Sequence, residues 1–344
     1  QVAGTPSRFT VGNERAGADS EQLAEEVLWS IEAIGGAGSE ANVAVCLAGL
    51  GDHAAFVSRL PTGEIGQMAV NDLRRVGVDV SGVVRVPGRM GLFFLEKVAS
   101  QRASKVIYDR ADSTAARSQP EDYDWDSLFL DADWFHFTGI TPALGGAMPS
   151  ICLEACQAAK RKGLTVSCDP NFRENLWTRA EARKVMAELM PYVDVFLSNV
   201  DQVGDVLGIF PEPAALEGEH TQRERQISVA RQLTERYGLQ KVAFTNRKSY
   251  SASENDWSGM LYSGGQAVFS RTYRIVIVDR VGGGDSFAAG LIYSLRRGDD
   301  DQAAIDFAAA ASCLKHTIEQ DYDLVSVEEV EALVHGSGDG RIRR

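Results

Sequence analysis

The sequence predicts an α/β fold, a central and mostly parallel sheet flanked by helices, with a small β-sheet lid set apart from it. Three features of the chain support this. Runs rich in β-branched and aromatic residues alternate with helical stretches of roughly 10–15 residues, the pattern of strands joined by helical crossovers. One pair of strand-like runs has no helix between its members. A glycine-rich segment lies where a strand gives way to a helix, the usual place for a ligand in such folds.

In chain order, "ANVAVCLAGLG" (residues 41–51) reads as a helix and "HAAFVSRL" (53–60) as a strand. "GQMAVNDLRRVGV" (66–78) is a helix that ends at Gly77. "RMGLFFLEKV" and "SKVIYDRA" form the helix-free strand pair, and the lid is expected over approximately residues 28–38 and 86–112. "DWFHFTGI" is a strand, and "MPSICLEACQAAKRKG" a helix closed by basic residues and a glycine, as the macrodipole favours. "LTVSCDPN", "VDVFLSN", "KVAFTN" and "YRIVIV" are further strands. Residues 211–225, rich in Pro and Glu, read as a surface loop. The last helix begins at "SVEEVEALV", where Ser326 and Glu329 form a capping box. No repeat interrupts the pattern, and residues 1–344 read as one domain.

Composition narrows the function classes. A net charge of −13 repels phosphodiester backbones, so nucleic acid is not an expected partner, although a local pocket can still be positive. The five cysteines form no C-x-x-C pair, so they read as small buried residues rather than a zinc or redox site. No run of about 18 apolar residues and no basic-then-apolar leader pattern is present, so the expectation is a cytoplasmic protein without membrane partners.

The chemistry concentrates in "DRVGGGDSFAAGLI", Asp279 to Ile292. A strand, then Gly282, Gly283 and Gly284, then a helix makes an anion site. The first helical N–H groups have no intrahelical partner, and glycines let an anion approach them. An acid beside such a site, Asp285, repels a phosphate and so needs a purpose; taking a proton from an attacking hydroxyl is one. The plainer alternative makes Asp285 a helix N-cap. A P-loop is excluded, because no Gly-Lys occurs in the chain.

This segment resembles the second signature of the PfkB, or ribokinase-like, carbohydrate kinases. The resemblance implies a ribokinase-like fold in which Gly282, Gly283 and Gly284 form the anion hole and Asp285 is the base. "GGAGSEANVAVCLAGLG" resembles the first signature, which implies sugar contacts from Gly35, Gly36, Gly38 and Asn42. The same stretch satisfies G-x-G-x-x-A, so a dinucleotide fold is the rival; the next strand ends in Arg59 rather than the acid that a ribose would need, which weakens it without removing it, since an arginine there suits NADP.

"ASQRASKVIYDRADS", "ADWFHFTGITPAL", "VSCDPNFRENLW", "FAAAASCLKHTI" and "SGDGRIRR" are similar to 2-keto-3-deoxygluconate kinases. That likeness implies ATP and Mg²⁺ (the metal on the ATP phosphates, with no direct protein ligand) and a sugar acid as acceptor. Tyr108, Arg110 and Arg173 would meet the substrate's acid end, since a guanidinium matches a carboxylate. Phe93 stands where these kinases often have a substrate-contacting tyrosine. Asn199, Thr245, Arg247, Asp279, Ser312 and Lys315 would serve the nucleotide side, with Lys315 and His316 otherwise solvent-facing.

Several positions depart from the family pattern. Gln202 replaces the expected carboxylate of Asn-x-x-Glu, Arg247 replaces a glycine, and "FTVGNER" offers Gly12, Asn13 and Glu14 where an acid is expected. Another PfkB substrate (fructose, ribose or keto-deoxygalactonate) and a non-catalytic sugar-acid-binding protein are the alternatives. A homodimer is expected by resemblance, through packing of lids.

Overall fold

The computed structural model describes residues 38–96, 100–101, 105–212 and 222–336, all within one compact unit, Ala37–Arg344. The expected single domain beyond these residues, the lid segment before residue 38, and Gly12, Asn13, Glu14, Gly35 and Gly36 lie outside the described residues.

The chain opens with α1 (Ser39–Gly49), β1 (Ser58–Pro61), α2 (Glu64–Arg75) and β2 (Val83–Val86). Strands β1 and β2 pair in parallel, and only the end of "HAAFVSRL" is strand. Then come β3 (Leu92–Glu96) and β4 (Lys105–Asp109), an antiparallel pair separate from the main sheet, as the lid reading expects. Strand β5 (Trp134–Thr138) enters the central sheet, followed by α3 (Met148–Arg161), β6 (Thr165–Asp169), α4 (Arg179–Leu189), β7 (Val195–Ser198) and α5 (Val200–Leu207). The next helix, α6, spans Gln222–Tyr237, so the loop expected over 211–225 gives way to helix at Gln222. Its buried Gln226, Val229, Ala230 and Leu233 recur at helical spacing, which the polar stretch before it hid.

The sheet ends with β8 (Lys241–Ser251), β9 (Glu254–Ser263), β10 (Gln266–Phe269) and β11 (Tyr273–Val276). Strands β5 to β8 are parallel, whereas β9 runs antiparallel to β8, β10 and β11. The seven-stranded sheet is therefore mixed: a parallel half from helical crossovers, and an antiparallel half from a hairpin that sequence reading did not resolve. Helices α7 (Gly283–Arg297), α8 (Asp301–Lys315) and α9 (Val327–Val334) complete the fold, the last carrying the expected Ser326–Glu329 capping box.

Two apolar cores lie on the two faces. One packs α3 to α6 against the sheet around Met186, Phe196 and Phe244. The other packs α1, α7, α8 and α9 around Phe287, Leu291 and Ile305. Small residues set the α7–α8 approach: a Cβ on Gly290 would sit 3.1 Å from both Ala308 Cα and Ala311 Cβ. This close contact holds the middle of α7 against the middle of α8. All five cysteines are free and buried.

Candidate active site

Helix α7 begins at the glycine run. Gly282 is its N-cap, in the left-handed region at φ 79°, and a Cβ there would lie 2.2 Å from the Asp321 carbonyl oxygen. Only glycine meets both demands. Gly283 faces the His316 ring, where a Cβ would come within 2.6 Å of Cε1. Gly284 is exposed, with nothing within 4 Å of a Cβ position, so its side of the turn is open to a ligand.

The turn is braced from behind. The Asp279 carboxylate accepts from the N–H groups of Val281 (3.0 Å) and Gln320 (3.1 Å). Ser312 Oγ donates to the Gly283 carbonyl at 2.6 Å. His316 donates from Nδ1 to the Ser312 carbonyl (2.6 Å), and burial lowers its pKa to about 4, so the ring is neutral. Lys315 and His316 are both buried, which rules out the solvent-facing alternative for them, because the last turn of α8 packs under the glycine turn. Asp279, Ser312 and Lys315 thus stand behind or beneath the turn.

Asp285 is not the cap. It occupies the third helical position, and its carboxylate crosses to α1: Ser39 Oγ donates to Oδ1 (2.5 Å) and Asn42 Nδ2 to Oδ2 (2.7 Å). Protein surrounds the group while a side of it stays open to solvent. Burial raises its pKa, the two donors lower it, the Glu40 charge raises it and that of Arg173 lowers it. Asn42 keeps a buried Oδ1 with no partner among the described residues, an acceptor suited to a sugar hydroxyl. Gly38 is the N-cap of α1, and its carbonyl accepts from the Asn42 N–H at 2.7 Å, so the two lie on one turn of the helix.

The residues expected at the substrate's acid end come from two places. Phe93 and Tyr108 are register partners in the β3–β4 pair, with ring centroids 6.2 Å apart on its inward face. The Arg110 guanidinium lies 4.1 Å from the centroid of the Tyr108 ring. Arg173 follows β6 and donates to the Phe172 carbonyl at 3.0 Å. The two arginines lie within electrostatic reach of each other: burial lowers the Arg110 pKa and the charge of Arg173 lowers it further, while Tyr108 and the Glu40 charge raise it. Among the described residues neither guanidinium is ion-paired to a carboxylate. The segment between β3 and β4 reaches the turn between β8 and β9, where Ser100 N–H donates to Ser253 Oγ (3.1 Å) and Ala252 N–H to the Ser100 carbonyl (2.6 Å).

Of the residues expected on the nucleotide side, Asn199 follows the end of β7 and Thr245 lies at the same level within β8, since Ser198 pairs with Phe244. Asn199 caps α5, accepting from Gln202 N–H at 3.0 Å, while Gln202 Oε1 accepts from Phe172 N–H. Thr245 Oγ1 donates to the Ser198 carbonyl at 3.4 Å. Arg247 is exposed, and its charge reaches both Arg280 and His316, lowering the pKa of each. Arg59 donates to the Arg117 carbonyl and lies 3.4 Å from Asp122, so it is engaged away from the role the dinucleotide reading needs.

Sequence reasoning missed Ser39, Glu40, Asp169, Asn171, Arg280 and Asp321. Ser39 had a signal, since it stands i,i+3 from Asn42 and so shares its helix face. Glu40 accepts from Thr138 N–H (3.0 Å) and Oγ1 (2.8 Å), tying α1 to the end of β5. Asp169 ends β6, the carboxyl edge where α/β folds bind ligands; burial and the neighbouring Asp285 push its pKa to about 7. Asp321 is pushed to about 6, by burial first and then by Asp285 and Asp279, and nothing in its sequence context marks it.

Comparison with known proteins agrees with this geometry. The pfkB family carbohydrate kinase model matches residues 32–322. The chain is 31% identical over 308 residues, 90% of each chain, to the 2-dehydro-3-deoxygalactonokinase of Haloferax volcanii. It is 30% identical over 304 residues to the 2-dehydro-3-deoxygluconokinase of Thermoproteus tenax, covering 87% of this chain and 85% of that one. The crystal structure of 2-dehydro-3-deoxygluconokinase from Thermotoga maritima superposes with a TM-score of 0.83 at 48% identity, covering 87% of this chain and 89% of that one. The ribokinase-like fold, the glycine turn leading to Asp285 and this similarity give one answer: the chain belongs to the PfkB family of carbohydrate kinases.

Proposed function

We propose that the chain transfers the γ-phosphoryl group of ATP to the terminal hydroxyl of a 2-keto-3-deoxy sugar acid, 2-keto-3-deoxygluconate first, forming the 6-phosphate. The observation that carries this reading is that Arg110 and Arg173 lie within electrostatic reach of each other while, among the described residues, neither is ion-paired to a carboxylate, Glu40 acting on Arg110 by its charge without an ion pair. Holding two guanidiniums close is unfavourable until an anion joins them, and a sugar carboxylate accepts their paired N–H groups. A neutral sugar gives them nothing to neutralise. The Haloferax volcanii relative, named for the galacto acid, keeps that epimer as the second reading.

In the proposed reaction the sugar acid lies under the β3–β4 hairpin, its carboxylate on Arg110 and Arg173, with Phe93 and Tyr108 beside its chain. Gly38 and Asn42 face its hydroxyls. The open N–H side of Gly284, with Arg247 and Arg280 nearby, fits an incoming phosphate. Asn199 and Thr245 border the nucleotide, and Asp279, Ser312 and Lys315 hold the turn that receives it. Magnesium, carried on the ATP phosphates, would neutralise part of their charge. Asp285 takes the proton of the terminal hydroxyl as its oxygen bonds to the γ-phosphorus. The bond from that phosphorus to the β–γ bridging oxygen breaks and ADP leaves, while Gly282 to Gly284 stabilise the charge on the transferring group. A homodimer remains part of the proposal; the exposed Leu92, Phe94 and Ile107 on the outer face of the hairpin support it.

The test is ADP release with Mg-ATP and a panel of 2-keto-3-deoxygluconate, its galacto epimer, fructose, ribose and gluconate. Turnover confined to the keto-deoxy acids is expected. Equal turnover of fructose or ribose removes the carboxylate pocket, and silence across the panel in a folded, ATP-binding protein favours a non-catalytic sugar-acid binder.

A further inference from the structure

We propose that Ser39 is a positioning residue for the base, its hydroxyl proton committed to the Asp285 carboxylate by a donor from Asn171. The proposal rests on the kinase reading above. A hydroxyl carries one proton and can accept at its lone pairs. Asn171 Nδ2 donates to Ser39 Oγ at 2.9 Å, and an amide nitrogen accepts nothing in return. The Ser39 proton therefore goes to Asp285 Oδ1, 2.5 Å away. Asn42, one turn along the same helix, holds the other oxygen at 2.7 Å. Each carboxylate oxygen has further lone pairs, so an incoming sugar hydroxyl still finds an acceptor.

The direction of this relay is built into the backbone. Asn171 sits at φ 37°, a left-handed conformation that asparagine tolerates better than most residues. Its N–H is anchored on Asp169 Oδ1 at 2.9 Å, and its carbonyl accepts from Arg173 at 3.4 Å. The loop that presents Arg173 to the substrate's acid end thus also aims the amide that orients Ser39.

A base needs an ionised carboxylate, and the surroundings of Asp285 work against one. Glu40 on α1 faces it with like charge, and Asp169 at the end of β6 and Asp321 beyond α8 add theirs only as they ionise, at about pH 7 and about pH 6. Arg173 opposes them, and Lys315 on α8 bears on the same acidic group through Asp321. A donated hydrogen bond from Ser39 favours the charged form. Removing it shifts Asp285 toward its protonated, inactive form, so activity is lost from the acid side first.

The experiment combines two readouts on wild type, Ser39→Ala and Ser39→Thr, with Asp285→Asn assigning the resonance. The first is a carboxyl-carbon NMR titration of Asp285 in the ligand-free protein. The second is the pH dependence of kcat/KM for ADP release with 2-keto-3-deoxygluconate. Ser39→Ala should raise the Asp285 midpoint and lower kcat/KM on the acid limb by about tenfold, the worth of one hydrogen bond to a charged group, with the deficit shrinking toward alkaline pH. Ser39→Thr, which keeps the hydroxyl, should follow wild type. An unmoved midpoint in folded Ser39→Ala, or a Thr variant indistinguishable from the Ala variant, overturns the proposal. If wild type phosphorylates no sugar acid, the kinase reading falls while the carboxyl titration still decides the role of Ser39.

Discussion

The glycine–aspartate turn and the β3–β4 hairpin meet the same cleft but are built differently. Around the turn, backbone and side chains lock each other: Gly282 against the Asp321 carbonyl, Gly283 against His316, Asp285 between Ser39 and Asn42. The hairpin is two short strands, half-buried on one face and exposed on the other, and it acts through Phe93, Tyr108 and Arg110. In consequence the centre assigned to phosphoryl transfer tolerates little change, because Gly282, Gly283 and Asp285 are each held by a neighbour and Gly284 alone stands open. The centre assigned to substrate choice is carried by side chains on a thin support, where replacements alter what binds without dismantling the fold.

The greatest loss is expected at the base. Asp285→Asn should keep ATP and sugar binding and lose roughly 10²–10⁴ of kcat, the usual contribution of a general base. Steady-state ADP release with binding measured by calorimetry checks this. Near-full turnover would reduce Asp285 to a structural residue and erase its difference from the hairpin.

A smaller effect is expected on the hairpin side. Arg110→Ala and Arg173→Ala should each lower kcat/KM for 2-keto-3-deoxygluconate by about 10- to 100-fold, the range for a lost hydrogen bond between charged groups. Any residual rate with fructose should be unmoved, because it has no carboxylate for the arginines to hold. Equal losses on both substrates would make the arginines structural.

The smallest effect, read in stability, is expected at Asp169. Its pKa is pushed up to about 7, first by burial and then by Asp285, so the folded state holds a proton that the unfolded chain, with a carboxyl pKa of about 3.9, gives up earlier. That contribution is fully present below the unfolded pKa and is lost as pH rises through about 7. Asp169→Asn cannot ionise. Its melting temperature should exceed that of wild type at pH above about 7 and vary less with pH below it, which ligand-free thermal melts would show.

Much of this was legible in the sequence for physical reasons. The parallel half of the sheet and its crossover helices carry strong periodicity, and the glycine turn is marked by composition alone, because only glycine fits beside the Asp321 carbonyl. The antiparallel β9 was hidden by polar residues at its outward positions and by Gly259, which makes room for Phe287 and Ile305. Distant partners stayed invisible for a different reason. Ser39 and Asp285 stand 246 positions apart, and only the packing of α1 beside α7 joins them. The burial of Lys315 and His316 was equally out of reach, since it depends on the turn above them rather than on the pattern of α8.

The grip of the two arginines on a substrate acid can be read from a single ratio, kcat/KM for 2-keto-3-deoxygluconate over that for fructose, both with saturating Mg-ATP and the wild-type protein. Phosphorylation of an acid held by Arg110 and Arg173 predicts a ratio of about 100 or more, the discrimination available to a site whose charged groups go unpaired with the wrong substrate. A ratio near or below one would contradict it.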